Sequence, residues 1–283
     1  MKKIVFFFIT IICINLQSCA DYVDDNAVPS GNNSSAGGSG NGSGGNNGGG
    51  NNGGGSMTIS ANLPVKIFSY LATTSIKYDN KDRISEISNL NENGKLGYYS
   101  NAYLTYSNDT LKNISYVSDY TGNPVTTIYN FSYSLNTISI EKLSEGSSRI
   151  EQVSIDNNER VTKVEEKDNV LSRSYSYDTK GNISMLKYSY SQLEVSFNYD
   201  NKTGIFEKVN LPQWLKQYIC FTFINATMSF SMINNPVNST RNQGSILKYS
   251  YFYQFNSNGY PEYVAHEEEN HFNGYTYQIE YSK

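Results

Sequence analysis

Apolar and polar residues alternate with period two over much of the chain beyond residue 59. Leu193, Val195, Phe197 and Tyr199 fall on one face, and Glu194, Ser196 and Asn198 on the other. Tyr249, Tyr251, Tyr253 and Phe255 repeat the pattern, as do Tyr129, Phe131, Tyr133 and Leu135. Near the end, Tyr275, Tyr277, Ile279 and Tyr281 alternate with Thr276, Gln278 and Glu280. One buried face and one wet face is the antiparallel signature; parallel strands buried on both faces read as continuous apolar runs.

Short polar turns join these runs. Asp79-Asn80-Lys81-Asp82, Asp156-Asn157-Asn158-Glu159, Asp178-Thr179-Lys180-Gly181, Asp200-Asn201-Lys202-Thr203-Gly204 and Asn256-Ser257-Asn258-Gly259 each begin with Asp or Asn. That side chain accepts a hydrogen bond from a backbone N–H two residues on and fixes the turn. Gly181, Gly204 and Gly259 are expected to supply the positive φ of a type I turn followed by a bulge. Asp156, Asp178 and Asp200 lie 22 residues apart. Two strands of about seven or eight residues plus two turns fill that interval, so one interval is one hairpin. A tyrosine before the turn puts its ring on the apolar face and its hydroxyl within reach of solvent or a polar partner at the sheet edge. The expected fold is all-β: an antiparallel meander of repeated hairpins forming a curved or closed, soluble, barrel-like sheet.

One segment departs from this period. Leu211, Trp214, Leu215 and Tyr218 stand at helical spacing behind Pro212. They predict a short helical insertion near residues 211–218 that caps an open end of the β core. Ligand stacking by Trp214, the only tryptophan, is the alternative.

The first 18 residues read differently. Lys2-Lys3 precede a 13-residue apolar run, Ile4 to Leu16, too short for a bilayer span but suited to a secretory leader. The run ends in Leu16-Gln17-Ser18-Cys19, which resembles a bacterial lipobox. That resemblance implies cleavage before Cys19 and acylation of its new N-terminus, with the membrane as the first partner. Residues 19–56 continue as an acidic stretch and then a Gly/Asn/Ser-rich tether. The 30–56 part has an r.m.s. reach of roughly 30 Å as a flexible coil. Residues 57–283 follow as a single β domain. The expected location is the outer membrane, by lipid anchor. The early acids Asp21, Asp24 and Asp25 resemble a surface-export signal of Bacteroidetes lipoproteins.

Composition narrows the chemistry. The whole chain carries −4; loss of Lys2 and Lys3 with the leader makes the mature charge −6, from 20 basic and 26 acidic residues. That balance argues against nucleic acid, which requires a basic footprint. With Cys13 in the leader and Cys19 acylated, Cys220 is the one free thiol, so no internal disulfide forms. Flanked by Ile219 and Phe221, it reads as a small buried hydrophobe. The only histidines, His266 and His271, are one residue too far apart for the His-Glu-x-x-His zinc motif. Their strand-like flanks place them at a solvated hairpin tip, and a metal site there is the minor alternative. The Asp turns lack the alternating acidic spacing of a calcium loop. No nucleophile elbow, phosphate loop or dinucleotide fingerprint occurs, and no cofactor is implied.

The tyrosine–aspartate turns weakly resemble the YD repeats of Rhs-type shells. A wider resemblance rests on the lipobox, the tether, Tyr199–Phe206, Pro212-Gln213-Trp214, Asn234-Asn235-Pro236-Val237 and the tyrosine-rich end. These are similar to an uncharacterised lipoprotein family of gut Bacteroidetes described as having a porin-like fold. The resemblance implies a barrel-like sheet and brings no functional residues. A membrane-spanning barrel is not expected, because outward positions carry Lys, Glu and Ser.

The leading functional expectation is a non-enzymatic binding protein that takes a glycan or another envelope protein. By analogy of niche, exposed tyrosines would stack on sugar rings. Trp214, Tyr116 and Tyr120 are candidate contacts, and one exposed patch drawn from Tyr98, Tyr99, Tyr116, Tyr120 and Phe252 would mark such a site. A structural envelope lipoprotein is the alternative, and a glycan-acting enzyme a further one. Asp109-Thr110-Leu111 also resembles a Bacteroidetes O-glycosylation acceptor.

Overall fold

Asp79 accepts hydrogen bonds from the N–H groups of Lys81 and Arg83 at 2.9 and 3.1 Å. Asp156 does the same for Asn158 and Arg160, Asp178 for Lys180 and Asn182, and Asn256 for Asn258 and Tyr260. The anticipated turn is therefore built repeatedly, from one side-chain oxygen and two backbone donors. The left-handed position of these turns is filled by Asp82, Glu159, Gly181 and Gly259. Gly204 is not among them. A Cβ there would stand 2.6 Å from the carbonyl oxygen of Ser231, so this glycine serves close approach and not turn geometry.

The computed structural model describes residues 59–69, 72–91, 99–119, 122–167, 172–224, 231–269 and 271–283. They belong to the unit Met57–Lys283. Sixteen strands run in order: β1 (Pro64–Ser69), β2 (Thr73–Tyr78), β3 (Ile84–Leu90), β4 (Tyr99–Ser107), β5 (Thr110–Asp119), β6 (Val125–Ser134), β7 (Thr137–Ser144) and β8 (Ser147–Ile155). They continue as β9 (Val161–Glu166), β10 (Ser172–Tyr177), β11 (Ile183–Tyr188), β12 (Glu194–Tyr199), β13 (Pro236–Asn242), β14 (Ile246–Phe255), β15 (Pro261–Glu268) and β16 (His271–Tyr281). Each strand pairs antiparallel with the next, and β1 pairs with β16, which closes the sheet into a barrel.

Tyrosines lock the rim that carries the Asp turns. Tyr78 donates its hydroxyl hydrogen to the carbonyl oxygen of Pro64, Tyr106 to Ile84 and Tyr133 to Leu111. Tyr177 donates to Val161, Tyr199 to Ile183, Tyr253 to Pro236 and Tyr281 to Pro261. Each bond runs from the end of an even-numbered strand to the start of the strand before it, at 2.7–3.0 Å. Strand β8 ends in Ile155 and has no such clasp. Each bond contributes about 1 kcal/mol. The 22-residue repeat is thus a structural unit: one turn, two strands and one clasp.

One rim turn is opened to admit an insertion. Asp200 accepts from the N–H of Lys202, but its second donor is Asn235, which takes the role that Arg83, Arg160, Asn182 and Tyr260 play elsewhere. Residues between them carry helix α1 (Gln213–Phe223). It begins where Pro212 predicts and runs five residues beyond the expected end. It also does more than cap the sheet. The peptide N–H of Trp214 donates to Glu159 in a rim turn, and the helix then continues inside the lumen. Trp214, Leu215, Gln217, Tyr218, Ile219, Cys220, Phe221 and Phe223 are all buried. A helix that buries eight of its eleven residues needs walls nearly all round it, and the lumen supplies them. Asn89 closes the far end by donating to the Phe223 carbonyl at 3.0 Å, one of the groups a helix C-terminus leaves unpaired.

The lumen changes character along its axis. Toward the clasped rim it is lined by Ile67, Ile76, Ile84, Ile114, Ile138, Val153 and Leu186, all at most 5% exposed. Toward the other rim, Thr74, Asn89, Ser100, Glu151, Arg173 and His266 face inward. The outward face is largely polar and crossed by ion pairs such as Lys77–Glu86 and Lys187–Glu194, with a few exposed apolar residues, Tyr103, Ile246 and Phe252 among them. A strand barrel in contact with lipid needs an apolar outer belt. Here charged pairs stand on the outer face. No helix among the described residues is long and apolar enough to cross a membrane.

Candidate functional site

The polar half of the lumen holds buried charges. Glu151, on β8, lies 2.5 Å from Lys142 on β7 and 3.4 Å from Arg173 on β10. Tyr218 of α1 donates its hydroxyl hydrogen to the same carboxylate at 3.4 Å. Burial, then the adjacent Glu151 charge, push the Tyr218 phenol well above its ordinary pKa, so it remains a donor. Arg173 also lies 5.7 Å from the ring of Phe221. This cluster bolts the helix to the wall, with one carboxylate serving two cations.

His266 faces the opposite side of the lumen. It is 9% exposed, and its ring meets Tyr249, Tyr251 and Tyr277 at 6.2, 5.8 and 6.2 Å. Desolvation lowers its pKa to about 4. The solvated-tip expectation therefore fails for His266, which sits inside β15 at a register position opposite Tyr275. His271 pairs in register with Glu268 instead, and its side chain is outside the described residues. Among the described residues, no group of three His, Cys, Asp or Glu is placed to hold a metal. Cys220 is buried, and burial pushes its thiol up, out of the range of a reactive thiolate.

The candidate aromatics separate from one another. Trp214 is 5% exposed between Phe131 and Tyr133, at centroid distances of 6.3 and 6.0 Å. Tyr116 turns inward and packs 5.3 Å from Phe223. Tyr98, Tyr120 and Cys19 lie outside the described residues. Asp109 is held by Lys81 and Arg83 from the neighbouring hairpin, and Leu111 is buried. Among the described aromatics of this group, only Phe252 stands on the outer wall with its ring in the open, 53% exposed.

Its setting is a shallow depression of about 520 Å³ across β13, β14 and β15. Strand alternation puts Asn238 and Thr240, then Lys248, Ser250 and Phe252, then Ala265, Glu267 and Glu269 on the outer face. Phe252 stands opposite Ala265, whose single methyl leaves the ring uncovered on that side. Ser250 stands between Asn238 and Glu267. Lys248 pairs with Glu269 at 3.2 Å. Among the described residues, Thr240, Ser250 and Glu267 make no side-chain hydrogen bond or ion pair within the protein. Leaving a phenylalanine in water forgoes about 1.5–3 kcal/mol of burial. A second depression, of about 380 Å³ beside Lys163, Lys187 and Glu194, holds no exposed aromatic ring.

Sequence reasoning named Phe252 but not its neighbours. Asn238, Thr240 and Glu267 come from two other strands, and only the pairing register brings them together.

No family model matches the chain, and no curated protein sequence matches it. Among solved structures, it is similar to a porin-like protein from Bacteroides uniformis. The TM-score is 0.39 at 11% identity, covering 70% of this chain and 97% of that one. A porin-like protein from Bacteroides vulgatus gives a TM-score of 0.38 at 11% identity, covering 78% and 99%.

Proposed function

We propose that this chain is a lipid-tethered, extracytoplasmic and non-enzymatic barrel that captures a ligand on its outer wall. The observation that carries this reading is the depression around Phe252, an open aromatic ring among hydrogen-bonding side chains on the outer wall. Acylated Cys19 anchors the chain in the outer membrane, and residues 30–56 hold the barrel away from the bilayer. Helix α1 packs against inward side chains of β5 and β10, so capture is assigned to the outer wall and not to the lumen.

Two measurements test this. Globomycin is expected to cause an unprocessed precursor to accumulate, and Cys19→Ala to release the chain from the membrane fraction. For capture, glycans and purified envelope proteins are screened by thermal shift. A ligand at 100 times its Kd stabilises by about 2.7 kcal/mol. A shift with one class, abolished by Phe252→Lys, is expected. Equal shifts in wild type and variant, or none with any class, would leave a structural envelope role. That second reading draws on the seven tyrosine clasps, which account for many tyrosines as construction.

A further inference from the structure

We infer that the outer-wall depression of β13–β15 is a carbohydrate subsite for uncharged sugar residues, with Phe252 as its stacking platform. This rests on the capture reading above and names the class of ligand.

Sugar rings present one face of C–H bonds and a rim of hydroxyls. A site for them needs an open aromatic face and, around it, side chains that both donate and accept hydrogen bonds. Phe252 provides the face. Thr240 and Ser250 offer hydroxyls, Asn238 an amide and Glu267 a carboxylate that can accept from two neighbouring hydroxyls. The Asn238 carbonyl oxygen already accepts from Asn198 at 2.6 Å, which fixes the amide. All these side chains project from paired strands of a closed sheet, so the backbone that carries them is already ordered before binding.

Charge and size exclude the competitors. Lys248 is matched by Glu269, which leaves Glu267 uncompensated and the surface unfavourable to sulfated or uronic sugars, phosphates and nucleic acid. A volume of about 520 Å³ lies within the range of small-ligand sites. A protein partner would need about 800 Å² of complementary surface, and one ring in a polar surround does not offer an apolar patch.

The test uses the mature lipidated chain in mild detergent. It is titrated calorimetrically with neutral gluco-, manno-, galacto- and N-acetylglucosamine oligosaccharides, and with heparin as the anionic probe. Binding to at least one neutral series is expected, and none to heparin. Phe252→Ala should weaken it about tenfold or more, Phe252→Trp should retain it, and Glu267→Gln should weaken it without altering the melting temperature. Tyr103→Ala, which removes an exposed outer-wall aromatic elsewhere, should leave it unchanged. Failure of every neutral series, tighter binding of heparin, or indifference to Phe252→Ala overturns the inference. If an envelope protein alone shifts the melting temperature, and Phe252→Lys abolishes that shift, capture stands and the carbohydrate assignment falls.

Discussion

The guanidinium carbon of Arg160 lies 4.6 Å from the ring centroid of Tyr177, while its Nε and Nη2 bond Asp156 at 2.8 and 2.6 Å. Arg83 repeats the arrangement, 4.2 Å from Tyr106 with Asp79 at 2.7 and 2.6 Å. The turn of one hairpin thereby grips the clasp tyrosine of the next. Lysine at Arg160 would keep the charge but lose the planar fork. Arg160→Lys is expected to cost about 1 kcal/mol in urea unfolding. Tyr106→Phe and Tyr199→Phe, on β4 and β12, should each cost a similar amount, with losses that add, because separated sites are independent.

Glu159 occupies a left-handed position with φ 57°, where Gly181 and Gly259 stand in sister turns. Its contribution to the helix is the backbone carbonyl that receives the Trp214 N–H, which any residue retains. Glycine removes a strain of about 1–2 kcal/mol and returns part of it as unfolded-state entropy. Glu159→Gly should raise the midpoint of denaturant unfolding, by about 0.5 kcal/mol net. An unchanged or lower midpoint would mean that its side chain matters after all.

Glu151 is the common partner of Lys142, Arg173 and Tyr218, and its side chain is 5% exposed. Glu151→Leu leaves two cations without their counter-ion in the lumen wall. The expected loss is about 3–5 kcal/mol. The triple change of Lys142, Glu151 and Arg173 to apolar residues should recover much of it, and comparing the two by denaturant unfolding separates charge from packing.

His266 titrates near pH 4 in the folded chain, below its ordinary 6.5. Between these values the unfolded state binds the extra proton, so stability rises with pH across that window and falls on acidification through it. The swing is about 3 kcal/mol, and His266→Phe should flatten it. Asp79 and Asp156 have lowered pKa values, for which burial is outweighed by bonds to Arg83 and Arg160. Their stabilisation is present above the unfolded carboxylate pKa and disappears below about pH 4, so the two contributions separate on a pH series.

The strands and turns were readable because their signals are local: period-two alternation, Asp or Asn opening each turn, tyrosine before it. The Asp200 turn misled because its first half matches its sisters, while the closing residue, Asn235, lies 35 positions away in sequence. The helix ran past its expected end because Ile219–Phe223 combines β-branched and aromatic residues that favour strands in isolation. Burial inside the lumen overrides that preference. The site was legible only as one exposed-ring candidate, Phe252, because cross-strand neighbours depend on register.

Fifteen of the sixteen strand contacts join consecutive strands; the last, β1 with β16, joins the two extremes of the sheet. Hairpins can zip as they emerge, but two raw edges persist until the final strand arrives. The pairing of β16 with β1 is therefore the step that makes the ring. A chain without β16 would expose β1 and β15 together, each ready to recruit another copy end to end.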